Sequence, residues 1–446
     1  MARRARRFLG SSAFLAAVAA APLAYGGDPR VTKGPYLQDL GSTHVAIKVE
    51  VDPPAPAALE LTSSRDAGGP KILENREATA LHVFRVDALE PGQAYAYSLR
   101  IGGHKQPGGT FTAAPKNDAD SMTFLLYGDN RSDPAAHASV VRAMRGVPSD
   151  FLVHTGDFGE DGSDPRDWQS FFDVEQMLLR DRCVFGCVGN HELIEKAGGS
   201  YLRYFGPLDP VQLYGSFRWG RARFFLLNGS DTFTDGAEAA WLRSELDRAD
   251  TEAGLAWRFI VVHHGPWSAG PHGNNTRLLA GGAEQLFAAH KVDAVFSGHD
   301  HIYERGEFRG LRYVVSGGGG APLYPVRGPL LSTKRVESAY HFVQFEVARD
   351  SVRLIARRAD GSILERCGFG KAAGWDCDRP TGSPAPGPGV ELTAADPARV
   401  PAPPAPTSRC GCRAVGDPSG PGRLGQMFAA LALLAWSRRL RYSRPR

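Results

Sequence analysis

The sequence predicts an α/β chain in which a small all-β module precedes a larger body of two packed sheets flanked by helices. Three observations carry this. Residues 31–114 hold short alternating runs and no helical periodicity. From about residue 120, short apolar runs alternate with stretches long enough to be amphipathic helices. Beyond residue 310, strand-like runs follow one another without long helices between them. The 446 residues, 42% of them apolar and 22% charged, allow two or three domains and exclude a wholly disordered or coiled-coil chain.

Residues 1–26 carry Arg3, Arg4, Arg6 and Arg7, then an apolar stretch from Phe8 to Ala21, then small residues. This is the pattern of a secretory signal peptide. Within the module, Val45–Val51, Leu59–Thr62, Leu81–Val86 and Tyr95–Arg100 read as strands, with a turn at Leu89-Glu90-Pro91-Gly92. The segment has no titratable cluster, so a structural role is expected. Ala114–Asp118 is a linker. In the body, 120–377, strands are expected at Thr123–Tyr127, Phe151–Thr155, Cys183–Val188, Arg223–Leu227, Arg258–Val262, Val292–Ser297, Tyr313–Ser316, His341–Val347 and Val352–Ala356. Helices are expected at Ala135–Arg145, Pro165–Arg180, Glu238–Ala249 and Thr276–His290. Residues 378–409 are rich in Pro, Ala and Gly and read as a semi-extended linker. The tail, 410–446, follows Cys410-Gly411-Cys412 with an apolar run from Leu424 to Ser437 and a terminal Arg cluster, which reads as a sorting signal.

The net charge of +4 invites an anionic partner, but its distribution removes the invitation. The leader holds +4 and the last 34 residues +6, so residues 27–412 carry about −6 and leave no basic footprint for nucleic acid. An exported chain permits disulfides. Cys367 and Cys377 are expected to pair, whereas Cys183 and Cys187 can do so only if the segment between them turns.

The chemistry sits at the strand ends. In order come Gly128-Asp129-Asn130-Arg131, Gly156-Asp157, Gly189-Asn190-His191-Glu192, His263-His264-Gly265-Pro266 and Gly298-His299-Asp300-His301. Groups at the carboxyl ends of strands converge on one crevice in an open α/β sheet. Carboxylate and amide oxygens with imidazole nitrogens suit Mn, Fe, Zn or a similar ion, and the glycine before Asp129, Asp157, Asn190 and His299 lets the backbone turn off the strand. Gly317–Gly320 lacks a following Lys-Ser/Thr, so it is no P-loop and reads as a tight loop near the site.

The ordered set resembles calcineurin-like metallophosphoesterases. The opening Gly34-Pro35-Tyr36-Leu37-Gln38 resembles the N-terminal domain of purple acid phosphatases, and the Pro-Gly turn before Tyr95-Ala96-Tyr97 resembles fibronectin type III domains, with Tyr95 as a corner tyrosine. The resemblance implies a four-layer sandwich and a site for two metal ions, Fe, Mn or Zn. Asp157 would bridge them, Asn190, His264 and His299 would complete one site, and Asp129 and His301 would belong to the other. His264 is chosen over His263 because family members place the ligand two residues before a proline, here Pro266. The sequence departs from the family at Arg131, where many members have His, and at Glu160, where purple acid phosphatases have Tyr. Glu160 is a candidate ligand of the depleted site and Arg131 a phosphate clamp. His191 would stabilise phosphoryl oxygens or protonate the leaving group, and His272 would contact substrate. The tail resembles the MYXO-CTERM sorting signal, which implies retention at a cell surface. The expected protein is therefore an exported phosphomonoesterase of a Gram-negative periplasm or outer surface, acting on small phosphate esters and attached through its tail. A phosphodiesterase or nucleotidase, and a vestigial binding module, are the alternatives.

Overall fold

The computed structural model describes residues 27–63, 69–207, 212–229, 236–328, 330–371 and 373–378. The segments read from the sequence as leader, linker and sorting tail, residues 1–26 and those beyond 378, lie outside the described residues.

The first five strands are antiparallel: β1 (Arg30–Gln38), β2 (His44–Ser63), β3 (Lys71–Asp87), β4 (Ala94–Ile101) and β5 (His104–Thr112). β3 runs along one edge of β2. The other edge is shared, residues 46–52 pairing with β1 and residues 57–63 with β4, which in turn pairs with β5. The two runs expected at Val45–Val51 and Leu59–Thr62 are thus one strand. It is interrupted in register at Pro53 and Pro54, where the missing N–H groups cannot join a ladder. Leu37, Ile47, Leu59 and Leu99 form its core. The Tyr95 hydroxyl accepts the Glu90 N–H at 2.9 Å, the bond that a corner tyrosine makes.

The body begins with β6 (Met122–Tyr127), α1 (Pro134–Arg145), β7 (Phe151–His154), α2 (Pro165–Leu179) and β8 (Val184–Gly186), three parallel strands joined by helices. Asp133 and Asp164 cap the two helices, each followed by a proline whose fixed φ suits the first helical position. Next come α3 (Gly199–Tyr204), β9 (Gly215–Trp219), β10 (Ala222–Leu227), α4 (Ala237–Thr251), β11 (Trp257–Val262), α5 (Thr276–Ala280), α6 (Ala283–Ala289), β12 (Ala294–Ser297), β13 (Tyr303–Phe308), β14 (Leu311–Ser316) and β15 (Thr333–Glu337). Their strands form a second sheet ordered β15-β13-β14-β12-β11-β10-β9. The chain then returns to the first sheet with β16 (His341–Val347), β17 (Ser351–Arg358), β18 (Ile363–Gly370) and β19 (Asp376–Cys377), giving the order β19-β18-β17-β16-β6-β7-β8.

The two sheets meet through aromatic side chains. Phe124 of β6 stacks on Phe345 at 4.8 Å and meets Phe224 of the second sheet edge-on at 5.2 Å. Leu125, Tyr127 and Leu152 point the other way, under α1 and α2, and Ile260 and Val262 lie under α4 to α6. The result is the four-layer, helix–sheet–sheet–helix arrangement that the sequence predicts.

The module bears directly on the body. Tyr36 packs on Phe172 and Phe205, Gln38 donates to the Val184 carbonyl (3.1 Å), Tyr97 donates to the Arg180 carbonyl (2.8 Å), and Lys48 donates to that of Tyr204 (2.9 Å). The helix expected over Thr276–His290 is two short helices, broken at Gly281-Gly282, where Gly282 takes a φ of 83°. Cys367 and Cys377 are disulfide-bonded across β18 and β19, while Cys183 and Cys187 are free and buried. Among the described residues, no helix is long and apolar enough to cross a membrane.

Candidate metal centre

Both sheets feed one rim. The first sends Asp129, Asp157 and Asn190 from beyond the ends of β6, β7 and β8; the second sends His263, His299 and His301 from beyond β11 and β12. Backbone bonds sew the loops together. Asp129 N–H donates to the Gly156 carbonyl (2.9 Å), Asn130 N–H to that of Asp157 (3.0 Å), and His299 N–H to the Asp129 carboxylate (3.0 Å). The sharp turns fall on the functional residues themselves: φ is 59° at Asp129, 58° at Asp157 and 69° at His299. Of the glycines expected to make those turns, only Gly156 has a positive φ. Gly128 and Gly298 supply room instead, since a Cβ there would lie 2.0 Å from Thr155 Oγ1 and 2.2 Å from Asp129 Oδ2.

The donors of one half crowd around a single point. His263 Nε2 lies 3.2 Å from Asp157 Oδ1, 3.0 Å from Asn190 Oδ1 and 3.2 Å from His299 Nδ1. The other nitrogen of His263 donates to the Thr155 carbonyl at 2.7 Å, so in the neutral ring Nε2 presents a lone pair to three further lone pairs. Burial opposes charge on this ring, yet the Asp157 carboxylate outweighs it and lifts the pKa to about 10. Oxygen and imidazole donors, with the ring oriented through its second nitrogen, make a set that suits a borderline divalent ion. Asp129, Asp157 and His263 form a buried potential metal cluster.

The sequence reading placed this ligand at His264, and the structure places His263 there instead. Phe259 and Val261 face the space between the sheets while Ile260 and Val262 face the helices. His263 shares the first side and His264 the second. His264 Nε2 donates to the Gly273 carbonyl at 3.1 Å. Burial lowers its pKa.

The other half is arranged differently. Asp157 turns its second oxygen, Oδ2, toward Arg131 Nε (3.3 Å) and His191 Nε2 (3.7 Å). Arg131 NH2 approaches His301 Nε2 at 3.4 Å, and His301 Nε2 lies 3.7 Å from Asp129 Oδ1. His301 Nδ1 donates to the Pro322 carbonyl at 2.7 Å, which leaves Nε2 as the acceptor. Burial holds His301 down to about 4. Burial pushes the Asp129 carboxyl well above the usual range, and the neighbouring charge of Asp157 adds to this. Asp157 itself is held far below that range: burial works against it, but His263, His191 and Arg131 prevail. Glu160, a candidate ligand in the sequence reading, points away. Its side chain is 52% exposed, accepts from Arg131 NH1 at 2.7 Å and also bonds Ser132 Oγ.

His191 directs Nδ1 at the Glu160 carbonyl and Nε2 at the site. His272 donates from Nδ1 to Asp300 Oδ1 (3.0 Å), lies against His299, and is 34% exposed. Three contributors were not assigned roles from sequence. Asp300 orients His272, and Tyr324 stacks on His301 at 3.9 Å. Glu192 accepts the backbone N–H groups of Gly189, Phe158 and Asp157 at 2.8–3.0 Å and of Gly159 at 3.5 Å. Position within Gly189-Asn190-His191-Glu192 was the only signal for that last one. Gly317 and Gly319 line the site floor, within 3.0 Å of Asp129 Oδ2 and 2.3 Å of the Gly128 carbonyl on adding a Cβ.

Residues 122–303 match a family model described as calcineurin-like phosphoesterase. Purple acid phosphatase 7 of Arabidopsis thaliana is 23% identical over 297 residues, 57% of this chain and 88% of that protein. Acid phosphatase type 7 of Danio rerio is 26% identical over 266 residues, and the match spans 52% of this chain but only 60% of the fish protein. In fold, the purple acid phosphatase of yellow lupin (Lupinus luteus) seeds superposes with a TM-score of 0.66 at 16% identity, over 77% of this chain and 74% of that one. Residues 122–303, which carry the donor cluster, are accordingly similar to calcineurin-like phosphoesterases, with purple acid phosphatases among the chain's similar proteins in sequence and its neighbours in fold.

Proposed function

We propose that this chain is an exported, metal-dependent hydrolase of phosphate monoesters. The observation that carries the reading is the convergence of Asp157, Asn190, His263 and His299 donor atoms at 3.0–3.2 Å, open to a rim that holds His191 and His272. A cation bound there supplies Lewis acidity, drawing charge from phosphoryl oxygens and making water more acidic. The protein's own groups do the rest. The Asp129 and Asp157 loops fix the donors before substrate arrives. His191, tied through Nδ1, presents Nε2 to the reacting group and protonates the leaving oxygen. His272, oriented by Asp300, holds the ester from the opening. Export follows from the leader pattern and agrees with the Cys367–Cys377 disulfide; the tail would hold the enzyme at the surface. The β module, with its corner tyrosine, is read as a fibronectin type III-like buttress.

The test uses the chain after removal of its leader, stripped with chelator and reloaded separately with Mn, Fe, Zn or Mg. Hydrolysis of p-nitrophenyl phosphate should return with metal and exceed that of the bis ester. No turnover with any ion refutes the reading; preference for the bis ester replaces monoesterase by diesterase.

A further inference from the structure

The donor set fits a cation in one half of the site and not in the other. We infer that this chain holds a single metal ion, at Asp157 Oδ1, Asn190, His263 and His299, and that the Arg131 guanidinium stands as a fixed positive charge where a second ion would lie. The inference rests on the hydrolase reading above and deepens it.

Asp157 is the pivot. Its Oδ1 faces the donor cluster and its Oδ2 faces Arg131, so one carboxylate serves a metal position on one side and a side-chain cation on the other. The guanidinium is embedded rather than superficial, its side chain only 10% exposed. It spans from Asp157 Oδ2 to His301 Nε2, at 3.3 and 3.4 Å, the two groups that a second ion would need along with Asp129. Glu160 closes the far side at 2.7 Å and anchors the fork in place. A bound ion and a guanidinium cannot share that space: their charges repel, and the donors are already directed at the fork. The replacement also changes character. Arg stays protonated at every working pH and depends on no metal supply. Its planar donors suit a phosphoryl oxygen arriving at the same edge of Asp157.

The experiment measures ions per chain. Chelator-stripped protein is titrated with MnCl2 by calorimetry, its bound Mn is counted by plasma mass spectrometry after desalting, and its Mn(II) electron paramagnetic resonance is recorded. One ion per chain with an uncoupled six-line spectrum is expected. Arg131→His, which exchanges the cation for a ligand, should raise the count toward two and introduce spin coupling. Two ions per wild-type chain, or a spin-coupled wild-type spectrum, overturn the inference and leave the hydrolase reading standing. A folded Arg131→His that still binds one ion overturns the assignment of Arg131 as the group filling the second position. No bound ion in the wild type overturns the hydrolase reading itself. The wild-type spectrum decides the matter even where the variant does not fold.

Discussion

Replacing Glu192 by Gln tests how the Asp157 loop is held. Glu192 is fully buried, and its two oxygens accept four backbone N–H groups: Asp157 and Gly189 on Oε2, Phe158 and Gly159 on Oε1. A glutamine keeps one oxygen. Whichever way its amide turns, the NH2 faces at least one N–H previously bonded at 3.0 Å or less, and two when it lies on the Oε2 side. Each buried donor left without an acceptor costs about 1–3 kcal/mol. The predicted loss from these bonds is therefore roughly 1–6 kcal/mol, set against the 5–15 kcal/mol typical of a folded domain. Glu192→Ala orphans all four groups and should cost more. The assay is equilibrium urea unfolding of metal-free protein at pH 8, above the value of about 7 to which burial, and then the charge of Asp157, lift this carboxyl; glutamine also removes the cost of burying that charge, so the net loss falls toward the lower end of the range. The comparison is then with the ionised form. Weaker Mn binding by Glu192→Gln should accompany the lost stability, because the displaced backbone carries Asp157. A loss below about 0.5 kcal/mol, inside the usual scatter for surface substitutions, would show that these bonds do not hold the loop.

Alanine at His263 should remove measurable Mn binding and turnover, whereas alanine at His264 should retain most of both; calorimetry on the pair reverses the assignment if the losses are exchanged. His341 is buried, donates from Nδ1 to the Ala339 carbonyl and accepts from Ser316 Oγ, and burial lowers its pKa to about 4. Because the unfolded chain binds the proton more readily, stability falls as pH drops from about 6.5 toward 4, by roughly 3 kcal/mol from this group. His341→Gln should flatten that limb in a series of urea midpoints, and an unchanged slope refutes it. Tyr95→Phe deletes only the hydroxyl that accepts Glu90 N–H, and should lower stability by about 1 kcal/mol with kcat unaltered.

The order of strands along the chain and the series of strand-end donors were legible because short apolar runs punctuated by Gly-Asp, Gly-Asn and Gly-His mark where β6, β7, β8 and β12 stop, and His-His-Gly-Pro marks the end of β11. The choice between His263 and His264 was not. It depends on which face of β11 each residue continues, and its last four residues, Phe259–Val262, are buried on both faces, a continuous apolar run with no alternation to read. Residues on its two sides differ only in their neighbours, the opposing sheet for Val261 and the helices for Val262. Glu160 failed for a related reason: spacing from Asp157 places it near the rim, but only the loop's course turns its carboxylate onto Arg131 and Ser132. The break between α5 and α6 was present in the letters as Gly281-Gly282, and the helical pattern on either side concealed it. β1, β5, β9 and β15 carry too many half-exposed or polar positions to stand out as strands.

Backbone strain and hydrogen bonding together hold the donor atoms in place. Asp129, Asp157 and His299 all occupy the left-handed region, at about 1–3 kcal/mol each. Loops free to relax would shed that cost. These are not free: the Asp157 turn is clasped by Glu192, the Asp129 turn by the Gly156 carbonyl, and the His299 N–H is bound to the Asp129 carboxylate, so relaxing one turn breaks bonds of another. Gly128 and Gly298 allow the loops to approach closely enough for this, at distances that exclude any Cβ. The strain is therefore offset by bonds that the strained geometry alone permits, and the donor atoms are held in place by the protein's own backbone. A cation arriving at His263 and Asp157 would meet donors whose loops need no reorganisation. Binding energy that would otherwise be consumed in ordering the site would remain available for the substrate.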